Sequence, residues 1–302
     1  MLPFAILIAI LAVSTASIFI RFAQNDGVPS LVIAALRLTL ATLLLTPLAL
    51  TKHREELKRL TRNEILLGAL SGIFLALHFA TWISSLEYTS VASSVVFVST
   101  GPLWVALLSP MLLKEHLART AVIGLGLSLV GGTIIGLADA CVWNHGLSCP
   151  ALRDVMHGRA MLGNILALLG AWTVTGYLII GRKLRATRSV SLVPYIFMVY
   201  GFAAVALIVI MFASGNSPLG YAPKTYGWIF LLAVLPQLIG HSTYNWALKY
   251  LPAALVAVIT LGEPIGSAIL AFFILSETPS LAVMVGGVFI LSGIYLASQP
   301  LN

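Results

Sequence analysis

The sequence predicts an all-α membrane protein of ten transmembrane helices, arranged as two inverted five-helix repeats. Three observations carry that prediction. Of the 302 residues 59% are hydrophobic and only 9% are charged, and mean hydropathy is +1.01. A soluble domain carries about 25% charged residues, so an ordinary water-soluble globule is excluded. Ten apolar stretches are each long enough to cross the hydrocarbon core of a bilayer. The third observation is an internal repeat at a constant spacing.

The spans run over 3–21, 30–50, 65–86, 89–113, 119–138, 160–181, 191–213, 226–248, 252–275 and 279–298. Turn chemistry separates them, as in Asn25-Asp26-Gly27-Val28-Pro29, Gly215-Asn216-Ser217-Pro218 and Thr278-Pro279. The first stretch turns apolar at once, with neither a basic leader nor a small-residue cleavage site, and reads as a retained helix. With the N-terminus inside, the even-numbered loops hold twelve Lys and Arg and the odd ones Arg21, Arg153, Arg159 and Lys224. The positive-inside rule then places both termini in the cytoplasm. The net charge of +7 thus speaks of orientation and not of nucleic acid.

The longest loop, 139–159, falls outside and contains both cysteines, Cys141 and Cys149. Two cysteines exclude a disulfide scaffold or an iron–sulfur site. A disulfide between them across an oxidising exterior and a pair of free thiols are both open readings.

The repeat links residues 86–115 to 248–277 at an offset of 162. Leu86 falls on Leu248, Tyr88 on Tyr250, Pro102 on Pro264 and Glu115 on Glu277, and Gly124 and Gly131 meet Gly286 and Gly293. Each half holds five spans, an odd number, so the second enters the membrane upside down. The expected units are 1–138 and 160–302, with 139–159 inserted between them. Inverted repeats build transporters with a site near the bilayer midplane.

These residues resemble the drug/metabolite transporter superfamily, in particular its bacterial EamA-type members. The Pro102 and Glu115 pair echoed by Pro264 and Glu277, the Gly262-Glu263-Pro264 run, Arg37 in the second span and the five-plus-five plan carry the resemblance. It covers nearly the whole chain outside 139–159. What it implies is export or exchange of small metabolites, often amino acids, by alternating access. It also implies a bacterial inner-membrane location.

Charged groups inside a span are costly and need a partner or a function. Arg37 and Glu263 are the two that sit well inside. Arg37 reads as structural, tied to helix-end carbonyls or to a neighbouring acid. Glu263 precedes Pro264, which removes a backbone donor and weakens the helix beside an ionisable group. Thr260, Glu263 and Ser267 are spaced to share one helical face and line a cavity. Glu263 is the candidate for holding an amino group or a coupling proton. His78 and His241 hold nearly equivalent places in spans three and eight and are further coupling candidates. His78 with Trp82, and Gln237, His241, Tyr244 and Asn245, form stripes on their helices.

Trp82, Trp104 and Trp172 lie within spans and not in an interfacial belt, so they are candidate rings around the substrate. On span four Ser93, Phe97, Thr100 and Trp104 share a face, with Gly101-Pro102 permitting a bend. The substrate set is thus His78, Trp82, Thr100, Trp104, Trp172, Gln237, His241, Tyr244, Asn245 and Glu263. Pro102, Pro264, Glu115 and Glu277 read as structural, like Arg37. No metal site or cofactor is expected, and no catalytic motif or P-loop is present. The partners expected are a small-molecule substrate and the bilayer, with a monomer as the default. Phosphate esters are disfavoured, since they would gather several basic residues in the spans. A channel or facilitator, and an intramembrane enzyme, are the alternatives.

Overall fold

A computed structural model describes residues 2–89, 94, 97–115, 117–138, 142–143, 147–148, 158–275 and 281–299. The first half contains α1 (Leu2–Asn25), α2 (Ser30–Lys52), α3 (Arg54–Arg59), α4 (Arg62–Ser85), α5 (Gly101–Leu112) and α6 (Arg119–Ala138). A pair of two-residue strands, Val142–Trp143 and Leu147–Ser148, follows in antiparallel register. The second region contains α7 (Gly158–Arg182), α8 (Leu192–Ala213), α9 (Pro223–Leu232), α10 (Ser242–Ala247), α11 (Ala253–Thr260), α12 (Glu263–Leu275) and α13 (Leu281–Ala297). Two π-helical segments are inserted, Lys183–Thr187 after α7 and Ala233–His241 between α9 and α10.

Six helical stretches are long and apolar enough to cross a membrane: Leu2–Asn25, Ser30–Lys52, Arg62–Ser85, Gly158–Thr187, Leu192–Ala213 and Ala253–Ile274. The sequence predicts ten. Three further predicted spans contain shorter apolar helices, Gly101–Leu112, Arg119–Ile134 and Leu281–Ala297. The fourth is α9 to α10, where the π segment with Pro236 interrupts regular α-geometry. Cys141, Cys149, Glu277 and Ser93 lie outside the described residues.

Local chemistry fixes the helix ends. Thr61 and Glu64 form a capping box at the start of α4: the Glu64 N–H donates to Thr61 Oγ1 at 3.3 Å and the Thr61 N–H to Glu64 Oε2 at 2.8 Å. Gly27, at φ 84°, makes the turn between α1 and α2 without a Cβ penalty. The short α3 supplies Glu56 to the start of α8, where it accepts from the Ser191 N–H at 2.8 Å and from its hydroxyl at 2.5 Å. That carboxylate faces the positive end of the α8 dipole.

Packing between the halves is reciprocal. α4 lies along α7, and α1 lies along the π segment after α9. α5 touches α7, and α12 touches α1. α2 pairs with α8, α5 with α11 and α6 with α13. The last contact is antiparallel and uses small residues to bring backbones together. A Cβ at Gly124 would collide with the Gly293 carbonyl, and one at Gly131 with the Gly286 carbonyl. Ser128 donates to the Ile290 carbonyl between them, at 3.5 Å.

The interior is apolar, with Leu38, Phe79, Leu75, Tyr177, Tyr195 and Tyr200 almost fully enclosed. The outside is apolar as well: Leu43, Leu66, Val205, Val209, Phe212 and Met111 are exposed on helix flanks. Water would not tolerate so much exposed apolar surface, and lipid requires it.

Candidate functional site

Two helices break at matching places. α11 ends at Thr260, a turn occupies Leu261–Gly262, and α12 restarts at Glu263 followed by Pro264. In the first half Phe97 and Val98 are helical, Ser99 and Thr100 form a turn, and α5 restarts at Gly101 followed by Pro102. Each proline sits in the first turn of its new helix, where a missing N–H costs nothing. The breaks are offset by the same 162 residues as the sequence repeat. A hydroxyl from the opposite half holds each one: Thr175 Oγ1 donates to the Gly101 carbonyl at 3.3 Å, and Ser14 Oγ to the Glu263 carbonyl at 3.0 Å.

This break alters one expectation. Thr260, Glu263 and Ser267 do not share a continuous helical face, because the helix stops between the first two. Ser267 Oγ donates to the Ser14 carbonyl of α1 at 3.1 Å, which directs it toward a helix contact.

Arg37 is 1% exposed. Its Nε donates to Gln237 Oε1 at 3.0 Å, and its guanidinium lies over the Phe79 ring, 4.3 Å from the centroid. Its partner is thus a glutamine side chain, where a helix-end carbonyl or an acid was expected. Nη1 and Nη2 of Arg37 have no hydrogen-bond partner among the described residues. The same holds for Gln237 Nε2, Trp82 Nε1 and the Tyr244 hydroxyl. Each buried donor left unpaired costs about 1–3 kcal/mol, and more when charged. Ser109, Thr120, Trp228 and Asn245 hold single unpartnered atoms too, but Arg37 holds two and is charged, which calls for a function.

Rings connect these groups. His78 stacks on Trp82 with centroids 5.9 Å apart and touches Phe79 at 5.1 Å. Phe79 meets His241 edge-on at 5.5 Å, and His241 meets Tyr244 at 6.2 Å. His78 Nδ1 is within hydrogen-bonding distance of the Gly170 carbonyl, at 2.9 Å. If it donates there, Nε2 is left as the acceptor. Glu263 is partly accessible and interacts electrostatically with both Arg37 and Tyr244, without a direct ion pair to Arg37.

The structure therefore brings together His78, Trp82, Gln237, His241, Tyr244 and Glu263, and adds Arg37 and Phe79. Trp104 and Trp172 form a separate edge-to-face pair at 5.5 Å, with Trp104 Nε1 donating to Thr100 Oγ1 at 3.2 Å. Trp172 is 47% exposed. Asn245 turns to a buried network, its amide nitrogen donating to the hydroxyls of Tyr177 at 2.5 Å and Tyr200 at 3.3 Å. Tyr200 also reaches Ser242 at 3.2 Å. Tyr177 and Tyr200 escape sequence reasoning, though one signal exists. The offset of 163 that puts His78 on His241 puts Arg37 on Tyr200.

Glu115 ties three elements at one end of the helices. Arg182 Nε donates to its Oε1 at 2.5 Å, and the Ala253 N–H to its Oε2 at 3.2 Å. Arg182 Nη1 donates to the Leu248 carbonyl at 2.8 Å.

Residues 2–137 and again 161–299 match the profile of the EamA-like transporter family. The chain belongs to that family. It is a multi-pass membrane protein that transports small molecules. Its relatives are described in the same terms. An uncharacterized transporter of Archaeoglobus fulgidus is 23% identical over 97% of this chain and 94% of its own. A second from that organism is 25% identical over 76% and 74%. An uncharacterized transporter of Clostridium kluyveri is 22% identical over 90% and 84%. A solved crystal structure superposes with a TM-score of 0.76 at 19% identity, covering 98% of this chain and 95% of that one. At that identity the likeness is one of fold.

Proposed function

We propose that this EamA-like transporter is a secondary transporter with ten spans in two inverted repeats. It moves small metabolites outward across the bacterial inner membrane by alternating access, amino acids and related neutral or aromatic compounds foremost. The observation that carries this reading is the pair of helix breaks at Ser99–Thr100 and Leu261–Gly262, each held by a hydroxyl from the other half. Helices interrupted within the membrane at matching places of two repeats are where transporters bind substrate. The reciprocal packing of α4 on α7 and α1 on the π segment supports the inverted relation, as does the double match to the family profile.

Substrate occupies the region between Arg37, Gln237, Trp82, Tyr244 and Glu263, with His78 and His241 alongside. Glu263 carries the coupling proton, and exchanges it when the break region faces each side in turn. The positive-inside orientation puts both termini and the Glu115–Arg182 tie on the cytoplasmic side, so this conformation is fastened there. The chain works as a monomer, since its two halves already supply the paired architecture.

The test is uptake of a radiolabelled amino-acid panel by proteoliposomes, with and without a pH gradient, for the wild type and Glu263→Gln. Saturable flux of one class, accelerated by the gradient in the wild type alone, is the expected result. Saturable flux indifferent to both gradient and substitution removes the coupling role and keeps the transporter. No flux of any compound in folded protein overturns the amino-acid reading.

A further inference from the structure

We infer that Arg37 is the carboxylate anchor of the substrate site, and that the site selects zwitterions carrying a carboxylate and an ammonium group. The inference rests on the reading above and gives Arg37 a substrate role in place of the structural one expected from sequence. Five donor atoms, Arg37 Nη1 and Nη2, Gln237 Nε2, Trp82 Nε1 and the Tyr244 hydroxyl, are enclosed without partners among the described residues. Such a donor set matches a ligand group that only accepts. An ionised carboxylate is acceptor-only, with two oxygens for a planar fork.

The guanidinium is already held in place. Its Nε is committed to Gln237 Oε1 and its central carbon lies over the Phe79 ring, while the two terminal nitrogens have no hydrogen-bond partner among the described residues. One carboxylate, Glu263 at the first residue of α12, lies within electrostatic reach of Arg37 and Tyr244. It is close enough to interact electrostatically with Arg37, yet not paired with it. A zwitterion bridges the two, its carboxylate on Arg37 and its ammonium on Glu263. A phosphate ester meets Arg37 but no other Arg or Lys among the residues named for this site, and is repelled by Glu263. A simple amine leaves the Arg37 donors unpaired. A simple carboxylic acid leaves Glu263 uncompensated.

The test uses the full chain in proteoliposomes, with counterflow of labelled L-phenylalanine as the probe. The competitors are 2-phenylethylamine, which lacks the carboxylate, and 3-phenylpropionate, which lacks the ammonium. In the wild type both are expected to compete at least about 100-fold more weakly than L-phenylalanine, as sites built around hydrogen-bonding groups discriminate. Arg37→Gln is expected to erase the preference for phenylalanine over the amine. Arg37→Lys retains charge without the fork and keeps only part of that preference. Glu263→Gln relaxes rejection of 3-phenylpropionate.

If the wild type carries 2-phenylethylamine as well as phenylalanine, the anchor is wrong while transport stands. If Arg37→Gln carries phenylalanine with the preference intact, the same conclusion follows. Because discrimination is measured first in the wild type, a variant that fails to fold does not rescue the idea. Absence of counterflow for phenylalanine and for every other amino acid overturns both the anchor and the amino-acid reading.

Discussion

The two helix breaks share a backbone and differ in chemistry. At the first, Gly101 carries no side chain and is closed against α7, where a Cβ would lie 3.2 Å from Val174 Cγ1. At the second, the equivalent position is Glu263, partly accessible and in electrostatic reach of Arg37. The supporting hydrogen bonds correspond almost residue for residue, with Thr175 serving Gly101 and Ser14 serving Glu263. The lesson is a division of labour. In the proposed transporter, matching halves supply two bends, and a single differing side chain, Glu263, makes one of them the candidate binding site.

The frame common to both breaks is the most sensitive part. Gly131→Leu drives a side chain into the Gly286 carbonyl and Ile290, and is expected to cost about 3 kcal/mol through overpacking. Loss of monodisperse protein in size-exclusion chromatography, or a large drop in Tm, checks it. A well-behaved Gly131→Leu protein would show that α6 and α13 do not hold the halves together.

The contrast between the breaks is tested directly by pairing Glu263→Gln with Gly101→Ala. The first is expected to lower gradient-driven flux at least about tenfold, one unit of transition free energy of roughly 1.4 kcal/mol, while leaving Tm nearly unchanged. The second is expected to lower Tm modestly, by about 1 kcal/mol or less in stability, because Val174 must give way by a few tenths of an ångström. If Gly101→Ala instead abolishes coupling, the two breaks are functionally equal and the division of labour is lost.

Ser14→Ala and Thr175→Ala remove the matching hydroxyl from each break. Each is expected to cost about 1 kcal/mol, the net worth of a typical hydrogen bond, and the two costs should agree. Thermal unfolding in detergent measures both. Unequal costs would mean that one break is held mainly by other contacts.

The smallest effect lies outside the membrane. Burial pushes the Glu56 carboxyl up, but hydrogen bonds from the Ser191 hydroxyl and N–H, together with His53, outweigh it and hold Glu56 below its ordinary 4.5. Its contribution is present above that value and is lost as the pH falls through the lowered one. Glu56→Gln is therefore expected to unfold at a slightly lower temperature at pH 7, with the gap closing in acid. The carboxylate is 37% exposed, so screening keeps the difference under about 1 kcal/mol.

Much of this was readable in the residues, for definite reasons. The 162-residue spacing needs only an alignment of the chain with itself, and the prolines it pairs, Pro102 and Pro264, marked a permitted bend and a weakened helix, though not the breaks themselves. Glu263 stood out because a charge within a span is rare. The line of Thr260, Glu263 and Ser267 failed because helical periodicity assumes an unbroken helix, and the turn at Leu261–Gly262 resets it. The bond between Arg37 and Gln237 links residues 200 apart, and in spans that are apolar on every side no hydropathy pattern points one helix at another. The Tyr177–Asn245–Tyr200 network was hidden for the same reason. Its tyrosines read as ordinary apolar filling until three helices bring their hydroxyls together.

The contact between α6 and α13 has the form of a two-fold dimer interface. Gly124 meets Gly293 while Gly131 meets Gly286, and Ser128 reaches Ile290 between them, each pair swapping roles under the 162-residue offset. Such an isologous surface is self-complementary, and it is how two copies of one polypeptide ordinarily close on each other. Here both faces come from one chain whose two halves match the same family profile, so their one-to-one stoichiometry is guaranteed by covalent linkage. That linkage leaves the two halves free to differ, as Gly101 and Glu263 do.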